Sequence, residues 1–321
     1  MSTEPAVHGD LPHLDLSQIA SEADPEYAKA AELVDTAFST GGFLRITGHS
    51  VRRQAIDRVV DRSRAFFTLD PAEKSPILAD LSDPLTRGLI VRDDHQQFFM
   101  SMLAERDEGS AVPAEYADFV RPNRWPSVAG FRDAFAELYR AVEEVATMLM
   151  RLMARALRLP EDWLSTRFDQ GVTPLVANYY PPFFADKDPA RLRHPAHRDW
   201  GAMTILHQDE HHGGLQVRDA ARRWVDVPIV PGSLIINLGM LMERWTGRRW
   251  VAALHRVAAP PPRDRHSDRI SIAYFCQPNL EVPINRIPTC GDGRSATGPE
   301  AETSGEYYRN LAKIVYGRST E

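Results

Sequence analysis

Two histidines and an aspartate carry the most distinctive chemistry in this sequence. His197-Arg198-Asp199 places an imidazole and a carboxylate two residues apart. On an extended strand, residues i and i+2 project to one face, so both side chains can address one point. His255, between an apolar run and Arg256-Val257, could bring a second imidazole to that point. Two imidazoles and one carboxylate grip one side of a metal and leave its other positions open. That donor set suits non-haem Fe(II) and oxygen chemistry. Taken alone, an H-x-D spacing also fits ordinary structural or surface histidines.

A second constellation is Arg269-Ile270-Ser271. In a strand, Arg269 and Ser271 share a face. A guanidinium binds a carboxylate through two parallel hydrogen bonds, and a hydroxyl adds a third. The pair could therefore receive one end of a small dicarboxylate, or Arg269 could form a structural salt bridge with Asp268 or Asp226. Asn178 and Tyr180 also share a face in Asn178-Tyr179-Tyr180-Pro181-Pro182. Tyr180 could donate to the same dicarboxylate or pack at a strand end. Arg198 could reach towards a substrate or into solvent, and reads as solvated because arginine is mostly exposed. Asp209-Glu210-His211-His212 has metal-ligand residue types but precedes Gly213-Gly214, which reads as a solvated hairpin turn. His194, His207 and His266 could compete as metal ligands, and His207 could line the pocket, but a hydrogen-bonded structural histidine is the simpler reading. The His-Arg-Asp triplet lacks the companion motifs of a kinase catalytic loop.

These residues need elements to position them. Alternation over 11–16 predicts an opening strand. Asp24-Pro25 starts a helix with Ala31, Leu33, Val34 and Phe38 on its apolar side, stopped by Gly41-Gly42. A strand follows over 43–46, then a helix through Ile56, Val60, Phe66 and Phe67 that Asp70-Pro71 breaks. Short strands are expected at 88–91 and 97–100, within an irregular stretch suited to walling a site. The strongest helix spans 131–159, with Leu138, Val142, Val145, Met148 and Leu152 at helical spacing. Between 171 and 283, apolar runs alternate with Gly, Pro and Asp turns. Strands are expected at 175–180, 203–206, 215–217, 224–227, 234–238, 251–254, 255–258 and 270–275. Such spacing predicts a closed or sandwiched β structure. A last helix is expected over 305–316. With no repeat or linker, the chain reads as one domain, mainly β with a helical layer.

Of the 321 residues, 43% are hydrophobic and 26% charged, enough apolar content for a substantial core. The formal net charge is -6 with both signs mixed, which argues against nucleic acid, a partner that needs a basic face. Cys276 and Cys290 form no C-x-x-C pair and no disulfide framework. No apolar run reaches membrane-spanning length, and no signal core opens the chain. A cytoplasmic protein with a small-molecule partner is expected. Nothing in these residues sets an oligomeric state.

Taken in order along nearly the whole chain, the motifs resemble those of the iron(II)/2-oxoglutarate-dependent oxygenases of the isopenicillin-N-synthase-like group. They are the opening strand at 11–16, the 37–44 stretch with Gly48-His49, N-Y-Y-P-P at 178–182 and H-x-D at 197–199. Gly213-Gly214-Leu215-Gln216-Val217, Pro231-Gly232 through Asn237-Leu238-Gly239, Trp245-Thr246-Gly247, His255-Arg256-Val257 and R-I-S at 269–271 complete the order.

The resemblance implies a double-stranded β-helix (jelly roll) core with an N-terminal α/β region and a C-terminal helix. It implies one oxygenase domain over 1–321, with an N-terminal dioxygenase region at 10–125 and an Fe(II)/2-oxoglutarate-binding core at 171–283. His197, Asp199 and His255 are implied as the iron ligands and catalytic centre. Arg269 and Ser271, with Tyr180 and Asn178, are implied as 2-oxoglutarate contacts, with O2 as second co-substrate. The implied reaction is hydroxylation, desaturation or cyclisation of a small molecule, with release of succinate and CO2, in secondary metabolism such as antibiotic biosynthesis. The substrate is expected opposite Arg269, with Phe98, Phe99, His207, Phe275 and the last helix, through Tyr307 and Tyr308, as candidate walls. The sequence departs from the pattern at Arg198, often a small residue or Thr, and at Met240, commonly Asp. Two competing readings use the same residues: an Fe(II) oxidase that needs no 2-oxoglutarate, and a non-catalytic small-molecule binder.

Overall fold

The computed structural model of the chain describes residues 11–19, 24–102, 112–182, 192–219, 221–291 and 302–316. Its N-terminal part holds β1 (His13–Asp15), α1 (Pro25–Thr40), β2 (Phe43–Thr47), α2 (Arg53–Phe67), α3 (Pro71–Lys74), β3 (Gly88–Val91) and β4 (Gln96–Ser101). The long α4 (Phe131–Ala156) and short α5 (Asp162–Ser165) lead into β5 (Pro174–Tyr180), β6 (His194–His197), β7 (Met203–His207), β8 (Leu215–Arg218) and β9 (Trp224–Asp226). Then come β10 (Leu234–Leu238), α6 (Met240–Trp245), β11 (His255–Val257), β12 (Arg269–Cys276) and α7 (Ser304–Tyr316).

An eight-stranded sheet runs β1-β2-β10-β7-β12-β5-β4-β3, and a four-stranded sheet runs β6-β11-β8-β9. Except for parallel β1–β2, the paired strands are antiparallel. An inner cluster of Phe43, Leu215, Val217, Val227, Ile235 and Ala253 joins the two sheets. This is the double-stranded β-helix, or jelly roll, in which two sheets close over one interior.

Strand alternation decides which side chains reach that interior. On β12, Ile270, Ile272, Tyr274 and Cys276 belong to the outer core, under the helices. Arg269, Ser271 and Phe275 therefore point inward. Leu175, Ala177 and Tyr179 of β5 likewise face out, which sends Asn178 and Tyr180 in. The helical layer is α4 packed on α1 and α2, with α2 also touching β5 and β12. Leu138, Val142, Val145 and Leu152 are buried on α4, while Met148 is only half-buried and Met150 and Met153 are fully packed.

Three local readings differ from the sequence. Asp70-Pro71 begins a helix as well as ending one: Pro71 fills the first turn of α3, and Glu73 accepts from the Asp70 N–H at 3.2 Å, a capping arrangement. The stretch 251–254 is irregular, because the Val251 N–H bonds the Phe38 carbonyl at the end of α1. Strand β6 and helix α6 were not apparent from periodicity, since each is too short to show a period.

Candidate active site

β6 and β11 pair with His197 directly opposite His255, which brings the two rings to 4.3 Å between centroids. The His197 Nδ1 donates to the Pro195 carbonyl at 2.9 Å, and the His255 Nδ1 donates to the Ala253 carbonyl at 3.0 Å. A carbonyl only accepts, so each Nδ1 carries the proton and each Nε2 offers a lone pair. Both Nε2 atoms lie 3.6 Å from Asp199 Oδ1. One ligand atom from each of the three residues sits within 4.8 Å of the others. The other Asp199 oxygen accepts from Thr204 Oγ1 at 2.6 Å and Asn237 Nδ2 at 2.7 Å. Two lone pairs and one unengaged carboxylate oxygen thus converge, each held by an outer partner, as a metal site requires.

Electrostatics agree with this geometry. Burial pushes the Asp199 carboxyl up, but His255, His197 and the two hydrogen bonds outweigh it and hold the group below its ordinary value. Burial, with His255 alongside, pushes the His197 imidazole down, so it is neutral and able to ligate at neutral pH. The Asp199 carbonyl accepts from the Met240 N–H at 2.8 Å. A Cβ on Gly239 would lie 2.2 Å from the Gly201 carbonyl oxygen, so only glycine permits this approach. Met240 serves here through its main chain, and the departure in its side chain leaves the triad intact.

Thr204→Val keeps the shape of the side chain and removes one of the two bonds that aim Asp199. Outer partners of this kind change metal affinity by about 10–100-fold. Fe(II) affinity, measured by chelator competition, is expected to fall within that range while the protein stays folded.

A second buried group lies along β12 and β5, where Arg269 opposes Tyr180 and Ser271 opposes Asn178. Arg269 is 1% exposed. Its Nε donates to the His212 and Gly213 carbonyls at 3.1 and 3.2 Å, and its Nη1 to Ser271 Oγ at 3.2 Å. The Tyr180 ring lies 5.2 Å from the guanidinium carbon. Among the described residues no carboxylate pairs with Arg269: Asp268 binds Arg64 at 2.9 Å, and Asp226 accepts from Gln216. The salt-bridge alternative therefore falls. A buried guanidinium without a carboxylate is costly unless an anion arrives. Burial pushes its pKa down, against the pull of Tyr180 and Asp209.

Arg193 and Asp209 also belong here, and the sequence marked neither as part of this group. Arg193 is buried, and burial with the nearby Arg269 lowers it to about 10, which adds a second guanidinium charge. Asp209 does not sit in a solvated turn. Its Oδ1 accepts from the His211 and His212 N–H groups at 2.8 and 2.9 Å, and its Oδ2 from the Ile270 N–H at 3.1 Å. It thereby fixes the loop whose carbonyls hold Arg269. Asn178 accepts from Gln97 at 2.8 Å and donates to the Ser271 carbonyl at 3.5 Å, so its amide steadies Ser271.

A cavity of about 360 Å³ opens on His197 and Asp199. Phe99, Trp200, Phe275 and Tyr308 give it aromatic walls, and Arg92, Arg198, His95, His194 and the Gln97 and Gln277 amides give it polar ones. The irregular stretch between α3 and α4 does wall the site, through Thr86, Arg92, His95, Gln97 and Phe99.

Of the expected wall residues, Phe99 and Phe275 line this cavity, but three others do not. Phe98 is fully buried against Phe131 and Phe135, at 4.9 and 5.4 Å between ring centroids. Adjacent strand residues take opposite faces, so Phe98 and Phe99 cannot both line the cavity. His207 shares the outward face of Met203 and Ile205 and borders a separate small space with Val51, Ile56 and Leu138. Tyr307 donates its hydroxyl to the Trp200 carbonyl at 3.3 Å, while the next residue, Tyr308, lines the cavity. Gln97 was within reach of period-2 reasoning from Phe99. Gln277 and His95 lie just outside strands and left no such signal. Arg198 is exposed, as expected, yet its Nε donates to the Ala252 carbonyl at 2.8 Å and its side chain borders the cavity.

Comparison with known proteins agrees with this architecture. Residues 172–278 match the 2OG-Fe(II) oxygenase superfamily, and residues 11–127 match the non-haem dioxygenase in morphine synthesis N-terminal family. The 2-oxoglutarate-Fe(II) type oxidoreductase hxnY of Emericella nidulans is 30% identical over 325 residues, covering 96% of this chain and 91% of that protein. The validamycin A dioxygenase of Streptomyces hygroscopicus subsp. limoneus is 28% identical over 92% of this chain and 85% of its own length. In fold, a full-length Neurospora crassa protein crystallised in complex with alpha-KG and 5-formyluracil superposes with a TM-score of 0.85 at 24% identity, over 98% of this chain and 100% of that one. With the jelly roll, the His-Asp-His cluster and these relatives in agreement, the chain belongs to the iron(II)/2-oxoglutarate-dependent oxygenase family.

Proposed function

We propose that His197 Nε2, Asp199 Oδ1 and His255 Nε2 hold Fe(II), and that Arg269 and Ser271 bind the far carboxylate of 2-oxoglutarate. The single observation that carries this reading is the tethering of all three donors. Both Nδ1 atoms and the second Asp199 oxygen are engaged elsewhere, which leaves the metal-facing atoms unengaged. Iron, 2-oxoglutarate and O2 together supply the oxidising power, with succinate and CO2 as by-products. The chain itself orients them. Arg269 provides charge and direction, Tyr180 packs beneath it, Asn178 steadies Ser271, and Asp209 fixes the loop around the guanidinium.

The substrate in this reading is a small molecule in the cavity beside His197 and Asp199, oxidised by hydroxylation, desaturation or cyclisation. The name of the Streptomyces relative supports a place in secondary metabolism, antibiotic biosynthesis included. In this reading one domain over 1–321 has an N-terminal dioxygenase region at 10–125, which supplies α1, α2 and part of the cavity wall, and the iron and co-substrate core at 171–283. A cytoplasmic location is supported by two free cysteines. Among the described residues, no helix is long and apolar enough to cross a membrane.

Anaerobic addition of Fe(II) and 2-oxoglutarate is expected to produce a weak visible charge-transfer band, and oxygen with a substrate to release succinate. Turnover that is indifferent to 2-oxoglutarate would favour the iron oxidase. A role that survives without iron would favour the binder.

A further inference from the structure

Resting on the proposed reaction, we infer that the cavity selects a small organic acid, with Arg198 holding its anionic group and the Gln277 amide meeting a hydrogen-bond donor on its body. The charge around the cavity is one-sided. Arg92 and Arg198 both border it, and among the described residues its one carboxylate is Asp199, which is engaged by Thr204 and Asn237 and faces the two histidines. A cationic substrate would be desolvated beside two guanidiniums, with no free acid among the described residues to receive it, which disfavours amines.

Arg198 is also held for binding. Its Nε is tied to the Ala252 carbonyl at 2.8 Å, and the Ala252 N–H donates in turn to Glu243 at 3.3 Å. That tether sets the direction of the fork. Among the described residues the other two nitrogens make no hydrogen bond and no ion pair, so a carboxylate can be taken by both at once. This gives a role to the middle residue of the His197-Arg198-Asp199 stretch, which metal binding alone does not use.

The second observation is independent of charge. Gln277 is 2% exposed, and its Oε1 is buried with no hydrogen-bond partner. An unsatisfied buried acceptor costs about 1–3 kcal/mol, and a ligand N–H or O–H would relieve it. His95 puts another buried polar group on the cavity wall. Phe99, Trp200, Phe275 and Tyr308 accept an apolar or aromatic body between these polar points.

The test uses N-acetylated phenylalanine, tryptophan and cyclohexylalanine, each as the free acid and as the carboxamide. Binding is measured by calorimetry on the full chain, anaerobically, with Fe(II) and 2-oxoglutarate present. Acids are expected to bind at least about tenfold more tightly than their amides, as a charge-assisted contact gives. That preference should shrink as salt is raised, because Arg198 is exposed. Arg198→Gln should erase it, and Arg198→Lys should keep part of it. Gln277→Leu should weaken acid and amide alike. Equal or tighter binding of the amides, no binding of any acid, or an unchanged preference in Arg198→Gln overturns the inference. The charge-transfer band, read in the same samples, reports separately on the proposed reaction. Its loss counts against that reading, while the acid-to-amide comparison still reads the substrate class.

Discussion

His255→Ala is expected to abolish turnover and stoichiometric iron binding together. The substitution removes one of three donor atoms that converge within 4.8 Å, so the loss should far exceed the ~10–100-fold typical of outer-shell changes. His255 is buried, with its ring 5.8 Å from the Phe43 ring in an edge contact, so some stability is lost too, on the order of 1–3 kcal/mol. Metal analysis of the purified variant, with circular dichroism to show that it is folded, checks the result. Retention of one iron per chain and of succinate release would sink the assignment of this histidine.

Arg269→Met is expected to raise the KM for 2-oxoglutarate by roughly 30- to several-thousand-fold, the ~2–5 kcal/mol that follows from removing one partner of a buried charge pair. Methionine keeps much of the stem packing and removes the charge. Stability without co-substrate should change little. The three hydrogen bonds lost to His212, Gly213 and Ser271 are offset by no longer burying an unpaired guanidinium. The rise in Tm that 2-oxoglutarate gives the parent protein should disappear in the variant. Thermal unfolding with and without 2-oxoglutarate therefore separates a binding role from a structural one. A variant that loses stability in both conditions and keeps its KM would show that Arg269 serves the fold alone.

Much of the site was legible in the residues themselves. His197 and Asp199, like Arg269 and Ser271, are i and i+2 pairs; strand pleating puts Arg269 and Ser271 on one face of β12, while β6 ends at His197 and the segment after it brings Asp199 to the same point. Once 174–180 and 269–276 are read as strands, the same pleating pairs Asn178 with Tyr180 and Arg269 with Ser271 on shared faces. The helical stripe of α4 could be read because it persists over a 26-residue helix. The same reasoning, applied without its parity, misplaced Phe98 and His207. A one-residue shift along a strand reverses the face, so of each adjacent pair one residue meets the cavity and the other the helices.

By itself the sequence determined the donor types, their spacing, the alternation of the strands and the order of the motifs that resemble the family. Only the tertiary structure decided which distant residues complete them. Pairing of β6 with β11 sets His255 opposite His197, and folding brings Thr204 and Asn237 onto Asp199, the Asp209 loop onto Arg269, and Arg198 and Gln277 onto one cavity. Apart from Thr204, five residues from Asp199, these contacts join residues far apart along the chain through single hydrogen bonds and shared walls. Such contacts leave no period in the sequence, because they depend on how sheets and loops close on one another and not on any local spacing.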